Sequence, residues 1–361
     1  MTSNVRCFMV LLGLGVCACS GSDDSNGATT SSGSGTGGSG GSGTTTMCGP
    51  NLLTQTNLGL VGSMTALISD GTNLFYSTFP DLSGGGAVDK PSHIVRLPVS
   101  GGTPVMLATT TGAGTALSSL AIDDTNVYYY FYDAGLSKVA KTGGTSTMLT
   151  DVGLLQLTVN FVVDATSIFF ADRGVLSRIS KDGGTPTELW KDDNVVITNL
   201  VNDTDDLYFV GYPPIDFGSD AGITELSSVY RIAKTGGTPT KIFQVMGDLT
   251  LAEDIWLLAL DGPNLVYSTS TDPFGDQPVR ALYSLAKTGG TPTKLVEGGP
   301  AFAAQGGTAY YAESGRLMKV SESGGAPVDL GVPAPGGAAA MAVDATNVYW
   351  ERYGCIYKAA R

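Results

Sequence analysis

The stretch SSLAIDDTNVYYYFYDAGLSKVAKTGGTSTMLT, residues 118–150, decides the fold. It alternates short runs of β-branched and aromatic residues with turn formers (Asp, Asn and Gly), and no part of it keeps a 3.6-residue period. It therefore predicts four short β strands and no helix. The strands are predicted at 118–122, 127–131, 136–141 and 146–150, and are named a, b, c and d.

The same pattern recurs along the chain, and two strings mark its copies. A Gly-Gly turn between strands c and d occurs six times, at 101–104, 143–146, 183–186, 236–239, 289–292 and 324–327. Strand b occurs seven times, with its central pair at Phe75-Tyr76, Tyr128-Tyr129, Phe169-Phe170, Tyr208-Phe209, Val266-Tyr267, Tyr310-Tyr311 and Tyr349-Trp350.

Strand b is apolar on both of its sides. Val127 and Tyr128 are adjacent, so they point to opposite faces of the sheet, and a blade between two neighbouring blades is buried on both faces. Residues 48–361 provide about 45 residues per repeat, as in propellers. The sequence predicts an all-β fold over 48–361, a single seven-bladed β-propeller with four-stranded blades.

A known repeat is similar to this one. The unit Ala342-Val343-Asp344-Ala345-Thr346-Asn347-Val348-Tyr349-Trp350 resembles the repeat of YWTD-type and TolB/NHL-like β-propellers. Those families bind proteins, sugars and peptides, and some relatives are lactonases, so the resemblance implies a scaffold and leaves the activity open. YWTD-type propellers have six blades, whereas this sequence has seven copies of the repeat.

The seventh repeat has no strand d after strand c. Residues 51–56 align with strand d of other repeats, and we expect them to pair antiparallel with 356–360 and close the ring. Cys48 and Cys355 are the cysteines outside the signal region, and exported proteins usually pair such cysteines. The expected register separates them by roughly 20 Å, too far for a disulfide, so the two expectations conflict and the repeat alignment favours the register.

The composition excludes several kinds of function. The net charge of −13 disfavours nucleic acid as a partner, since phosphates are repelled. The single histidine, His93, argues against His-based triads and His-rich zinc sites.

The N-terminal region predicts export. Residues 1–19 contain a short apolar run that ends in Val16-Cys17-Ala18-Cys19, which resembles a bacterial lipobox with Cys19 as the lipidated residue. An ordinary cleavable signal peptide is the alternative. Residues 20–47 are almost entirely Gly, Ser, Thr and Asp and predict a disordered tether. Ser20 favours the outer membrane by analogy with enteric sorting, and the lipid is the only membrane contact we expect.

Basic residues recur at one position of strand c. They fit either a phosphate-binding track or pairing with carboxylates of the same or the next blade, and the acidic net charge favours pairing. The residues are Arg96, Lys138, Arg178, Arg231, Lys319 and Lys358.

The b–c connections of repeats one, four and five are long. In a propeller these connections share one face, and variable loops on a rigid scaffold often carry function. Aromatic and carboxylate side chains together suit a carbohydrate, a basic peptide or Ca²⁺; solvated loops without a role are the alternative. The candidate binding residues are Phe79, Asp81, Tyr212, Asp216, Phe217, Asp220, Asp272, Phe274 and Asp276.

Three functions remain open at this point. The favoured one is a monomeric, non-enzymatic binding protein of the cell envelope that recognises a protein, peptide or glycan without a cofactor. The second is a metal-dependent hydrolase or lactonase at the mouth of the central channel, and the third is a structural scaffold. The residues for the second are Asp151, Asp192, Asp193, Asn194, Asp248, Glu253 and Asp254.

Replacing the lipobox cysteine tests the anchor. Cys19→Ala is expected to release the protein from the membrane fraction, because each buried CH₂ of an acyl chain contributes about 0.8 kcal/mol. Fractionation followed by immunoblotting measures this, and a variant that still needs detergent for extraction would contradict a lipid anchor.

Overall fold

The computed structural model describes residues 52–55, 66–78, 91–109, 117–131, 135–150, 160–213, 225–246, 253–271, 279–299, 301–352 and 354–361. Their regular structure is all β strand, and they include no helix long and apolar enough to cross a membrane.

The strands are β1 (Leu52–Gln55), β2 (Leu67–Ser69), β3 (Asn73–Thr78), β4 (His93–Pro98), β5 (Val105–Thr109), β6 (Leu117–Ile122), β7 (Asn126–Phe131), β8 (Gly135–Ala140), β9 (Thr147–Thr150), β10 (Asn160–Val163), β11 (Ser167–Asp172), β12 (Val175–Ser180), β13 (Thr187–Lys191), β14 (Val196–Asn202), β15 (Asp206–Tyr212), β16 (Glu225–Ala233), β17 (Thr240–Met246), β18 (Glu253–Asp261), β19 (Asn264–Thr271), β20 (Val279–Ala286), β21 (Thr293–Glu297), β22 (Phe302–Ala304), β23 (Thr308–Glu313), β24 (Arg316–Ser321), β25 (Val328–Pro333), β26 (Ala340–Val343), β27 (Asn347–Arg352) and β28 (Cys355–Ala360).

These strands form seven antiparallel sheets of four strands each, which are the predicted blades. Blades 1 to 6 take their strands in chain order, from β2–β5 to β22–β25. The first strands of successive blades contact one another, and β26 of blade 7 contacts β2 of blade 1, so the ring closes. The seven-bladed propeller predicted from the repeats is confirmed.

Adjacent aromatic residues of one strand pack on different neighbours, as the alternation predicts. Tyr128 lies in a core cluster with Phe161 and Phe170 of blade 3, whereas Tyr129 lies in a cluster with Phe75 of blade 1. Burial of each such ring contributes about 1.5–3 kcal/mol, so most of the stabilisation arises between blades.

The two repeated turns have the structural roles that their sequences predict. Asp123 accepts the main-chain N–H groups of Thr125 and Asn126 at 2.8 and 2.7 Å, an Asx turn between strands a and b. Gly289, in a c–d turn, has φ +88°, and a Cβ there would lie 2.6 Å from the carbonyl oxygen of Ile242 in the preceding blade. A side chain is therefore excluded both by conformation and by the close approach of that blade.

The N-terminal strand completes blade 7. Strand β1 pairs antiparallel with β28, with Leu52 opposite Tyr357 and Gln55 opposite Cys355, in the predicted register apart from one bulge. Cys355 is disulfide-bonded, and its pairing with Cys48 stays a prediction. Its partner lies outside the described residues, as does Cys48, and the register of 52–55 holds beside the bond.

An ionic latch joins four pairs of neighbouring blades. A lysine that follows strand c reaches the Asx-turn aspartate of the preceding blade and lies over an aromatic ring of its strand b. Lys181 contacts Asp123 at 2.8 Å and lies 5.5 Å from the ring centroid of Tyr128. The other latches are Lys141–Asp70, Lys234–Asp164 and Lys287–Asp203, at 2.8, 3.1 and 2.6 Å.

The basic residues of strand c make the expected contacts only in part. Arg96, Lys138 and Lys358 donate to main-chain carbonyls of the next blade, at Lys141, Lys181 and Val99 respectively. Two of the basic residues do pair with carboxylates: Arg231 with Asp206 of its own blade at 2.6 Å, and Lys138 with Asp182 of the next blade at 3.7 Å. Pairing with carboxylates is thus only part of their role, because the latch lysines already occupy the Asx-turn aspartates.

Removing one latch cation is expected to destabilise the ring. Lys181→Met should lower the free energy of unfolding by about 2 kcal/mol, since it removes a charged hydrogen bond and a cation–π contact from a half-buried carboxylate. Urea unfolding followed by tryptophan fluorescence measures the change.

The matched control is Lys294→Met. Lys294 pairs with Glu297, but the two side chains are 43% and 74% exposed, so no measurable change is expected. Equal effects of the two substitutions would contradict a specific role for the latch.

Candidate functional site

The b–c connections lie opposite the Gly-Gly turns. In blade 4 the antiparallel pairing places the end of β15 beside the start of β16 at Gly211 and Ser228, and the start of β15 beside the end of β16 at Asp206 and Ala233. The same holds in blades 1 and 5, so all three long insertions leave their sheets at the end away from the Gly-Gly turns. We call this end of the ring the insertion face.

Most of the predicted binding residues lie outside the described residues. Tyr212, at the end of β15, is the one that the structure places. The residues outside the described part of the chain are Phe79, Asp81, Asp216, Phe217, Asp220, Asp272, Phe274 and Asp276.

Tyr212 ties blade 4 to blade 5 at the base of the 214–224 insertion. Its half-buried ring places the hydroxyl against the main-chain carbonyl of Ile255, to which it donates. Burial, with the nearby carboxylate of Asp254, raises the pKa of Tyr212, so the phenol stays protonated and acts as a donor. The residue therefore has a positioning role at this seam.

Asp254, at the start of β18, is the most perturbed acid at this seam. Burial raises its pKa to about 6, opposed by hydrogen bonds from the Ser227 hydroxyl and the Ile255 amide. One of its oxygens, Oδ1, is buried without a hydrogen-bond partner. A buried carboxyl oxygen without a partner can accept a hydrogen bond from a ligand.

The innermost strands are irregular beside Asp254. Strand β14 has a bulge between Thr198 and Val201, and β18 has one between Ile255 and Leu257. Within the first bulge Asn199 has φ +49°, and its side-chain amide donates to the carbonyl of Trp256 at 3.1 Å. Bulges re-aim side chains and are frequent near functional sites.

A charged cluster lies where the insertion ends and β16 begins. Glu225 accepts hydrogen bonds from Lys241 at 2.5 Å and from the Ser228 hydroxyl at 2.8 Å. Burial raises the pKa of Glu225, but these bonds outweigh it and leave the pKa below its ordinary value. Glu225 is therefore ionised and fixed, which anchors the start of β16.

Glu351 is a buried acid that the sequence reasoning missed. It lies near the b–c turn of blade 7, only 1% exposed, and accepts the Gly354 amide at 2.8 Å, while Oε2 has no partner. Burial raises its pKa to about 7. The available signal was a carboxylate in the apolar run of strand b, at a position where most other blades carry Ser, Ala, Val or Tyr.

The carboxylates proposed for a metal site do not converge where they are described. No group of three or more His, Cys, Asp or Glu side chains that could hold a metal ion occurs among the described residues. Asp192 accepts the Asn194 amide in a turn, and Asp193 pairs with Lys191 at 3.3 Å. Asp151 and Asp248 lie outside the described residues.

Comparison with known proteins supports the fold. No protein-family model and no curated protein matches the sequence. Among solved structures, "YCF48 bound to D1 peptide" has a TM-score of 0.56 at 8% identity, covering 84% of this chain and 94% of that one. Hydrazine synthase of Kuenenia stuttgartiensis has a TM-score of 0.56 at 13% identity, covering 85% and 97%. Oligogalacturonate lyase of Vibrio parahaemolyticus has a TM-score of 0.51 at 12% identity, covering 82% and 88%. At these identities the likeness shows a β-propeller and no particular activity.

The raised pKa of Asp254 predicts how stability varies with pH. The folded-state pKa of about 6 exceeds the ordinary value of 3.8, so the fold loses stability as pH rises between these values and does not regain it above them. Asp254→Asn removes this loss and should raise the free energy of unfolding at pH 8 by on the order of 2 kcal/mol, with a much smaller effect at pH 4.

Thermal unfolding at pH 4 and pH 8 provides the measurement. Asp193→Asn is the control, because its side chain is 83% exposed and the substitution should change stability equally little at both pH values. A destabilising effect of Asp254→Asn at pH 8 would show that the carboxylate is needed in its ionised form.

Proposed function

We propose that the chain is an envelope-anchored, non-enzymatic binding protein that recognises a protein, peptide or glycan on the insertion face. The seam between blades 4 and 5 carries this proposal. There a long insertion leaves β15 after the half-buried Tyr212 and enters β16 before the buried Ser227. Asp254 lies across the seam, beside two bulged inner strands. The Gly-Gly face, by contrast, uses its recurrent charges internally, as latches.

The chemistry of the insertions favours a ligand with basic or hydroxyl groups. Their candidate residues are carboxylates and aromatics, which hydrogen-bond to cations and sugar hydroxyls and stack on apolar faces. The net charge of −13 adds long-range attraction for a basic partner. A basic peptide segment or a neutral glycan therefore fits better than an acidic one.

Propellers of this shape serve both binding and catalysis. One of the similar structures is described as bound to a peptide, and another is a lyase. The fold therefore does not choose between them, and the proposal stands on the site.

The envelope location stands on the N-terminal sequence. The lipobox-like Val16-Cys17-Ala18-Cys19 and the Gly/Ser-rich residues 20–47 would hold the propeller at a membrane surface through a tether of roughly 30 Å. A binding site on a tethered head can reach ligands in the space around the membrane.

Shortening the blade 4 insertion tests the proposed binding face. Residues 213–224 would be replaced by Arg-Gly, the two-residue link that joins Asp172 to Val175 in blade 3. The full chain in detergent would be applied to arrays of Lys/Arg-rich peptides, Glu-rich peptides and neutral glycans. We expect binding to basic peptides or glycans, reduced at least tenfold in the shortened variant.

Two variants keep this test interpretable. Asp182→Ala lies on the Gly-Gly face with its side chain 95% exposed, and binding should be unchanged. Asp216→Ala combined with Phe217→Ala replaces the deletion if the shortened chain fails to fold. Undiminished binding in both insertion variants would contradict the proposal, and cleavage of an arrayed probe would favour the hydrolase.

A further inference from the structure

The seams between blades differ in the cation that crosses them. Four seams have the lysine latch, and at the seam between blades 6 and 7 Arg361 takes its place. Arg361 donates to the Gln305 side chain at 2.7 Å and lies 5.5 Å from the ring centroid of Tyr310. A positive charge at this position is thus a recurrent feature of the Gly-Gly face.

At the seam between blades 5 and 6 the latch position carries a carboxylate instead. The Glu322 amide donates to the carbonyl of Gly307, as the latch residue Lys141 does to Thr125 in its own blade. The aspartate of the preceding blade is retained as Asp261, and the Glu322 carboxyl reaches the same a–b turn, where it accepts the Asn264 side-chain amide. Val266 stands where the other latches have an aromatic ring. Two acids therefore meet where four seams have an acid and a lysine.

The Glu322 carboxyl is buried and incompletely satisfied. The residue is 4% exposed; Oε2 accepts the Asn264 amide at 3.0 Å, and Oε1 has no partner. Asp261 accepts the Gly307 amide at 2.7 Å. Within the described part of the chain no basic side chain forms an ion pair with either acid.

At the seam between blades 7 and 1 the Asx-turn aspartate has hydrogen-bond donors without a latch cation. Its latch position is Val99, also without a cation. There Asp344 accepts the Tyr349 hydroxyl at 2.8 Å and the Ser69 hydroxyl at 3.1 Å, so neutral donors complete its shell. At the seam between blades 5 and 6, by contrast, Asp261 and Glu322 are both hydrogen-bond acceptors, and neither carboxylate supplies a donor to the other.

Two carboxylates in contact cannot both be ionised in a buried site unless a positive charge lies between them. A shared proton can supply it in acid solution.

We propose that the seam between blades 5 and 6 binds one Ca²⁺ ion through the carboxylates of Asp261 and Glu322, with water completing its shell. Carboxylate oxygens are hard ligands, and two of them offset the charge of a divalent ion. Ca²⁺ accepts six to eight oxygens in flexible geometry, whereas Mg²⁺ requires a near-ideal octahedron. The ion replaces the lysine ammonium of the other seams and joins blade 5 to blade 6.

Thermal unfolding of the full chain with CaCl₂ tests the site. At pH 8, millimolar CaCl₂ should raise the melting temperature of the wild type by about 2–4 °C relative to EDTA at matched ionic strength. Isothermal titration calorimetry should detect Ca²⁺ binding to the wild type and no binding at this seam in variants of Glu322.

The variants separate this site from any other Ca²⁺ site. Glu322→Lys restores the latch cation and should melt above the EDTA-treated wild type at pH 8, without a CaCl₂ shift from this seam. Glu322→Gln should also lose the shift. Glu297→Gln, which removes an exposed carboxylate, is the control and should keep it.

Two results would overturn the proposal. One is a wild type whose melting temperature is not raised by CaCl₂ at pH 8, which would leave the two acids without a bound ion. The other is a full CaCl₂ shift in Glu322→Lys and Glu322→Gln, which would place the ion elsewhere.

Discussion

Each blade of this protein is apolar on both faces, and the rest of the structure depends on that constraint. A sheet such as that of blade 2, with Tyr128 packed on one neighbour and Tyr129 on the other, is stable only between two other sheets. A row of such sheets has two apolar ends, and closing the ring removes both. The pairing of β1 with β28 completes blade 7, so the last blade is built from the two ends of the propeller sequence.

Ring closure also divides the surface into two unequal ends. On the Gly-Gly face the a–b turn of one blade touches the c–d turn of the next, so charged side chains there are used between blades. On the insertion face the connections can lengthen, because their ends are fixed by the sheets. Two buried acids that each have an oxygen without a partner, Asp254 and Glu351, lie at that end. There they can meet a ligand.

The parts predicted from the sequence are those that each repeat encodes locally. Blade number, strand order, both turns and the closing register follow from periodicities of a few residues. The latches do not, because Lys141 is separated from Asp70 by 71 positions and the pairing depends on how blades are stacked. For the same reason the sequence does not predict the contacts of the basic residues of strand c. Pairing with carboxylates was expected, whereas three of these residues donate hydrogen bonds to main-chain carbonyls of the next blade. The disulfide of Cys355 does not follow from the repeats either, because a covalent link between distant parts of the chain is not encoded in the period of one blade.

Blade 5 connects the two ends of the molecule. Its inner strand begins at Glu253, next to Asp254 in the polar seam with blade 4, and ends at Asp261, in the acid pair with blade 6. One nine-residue strand therefore carries a carboxylate of interest near each end, and its other neighbour, blade 4, is held by the Lys287–Asp203 latch. If an ion fastens Asp261 to Glu322, it fixes the far end of the strand that presents Asp254. Ion occupancy on the Gly-Gly face would then stiffen the insertion face through a single rigid element, without any contact between the two sites.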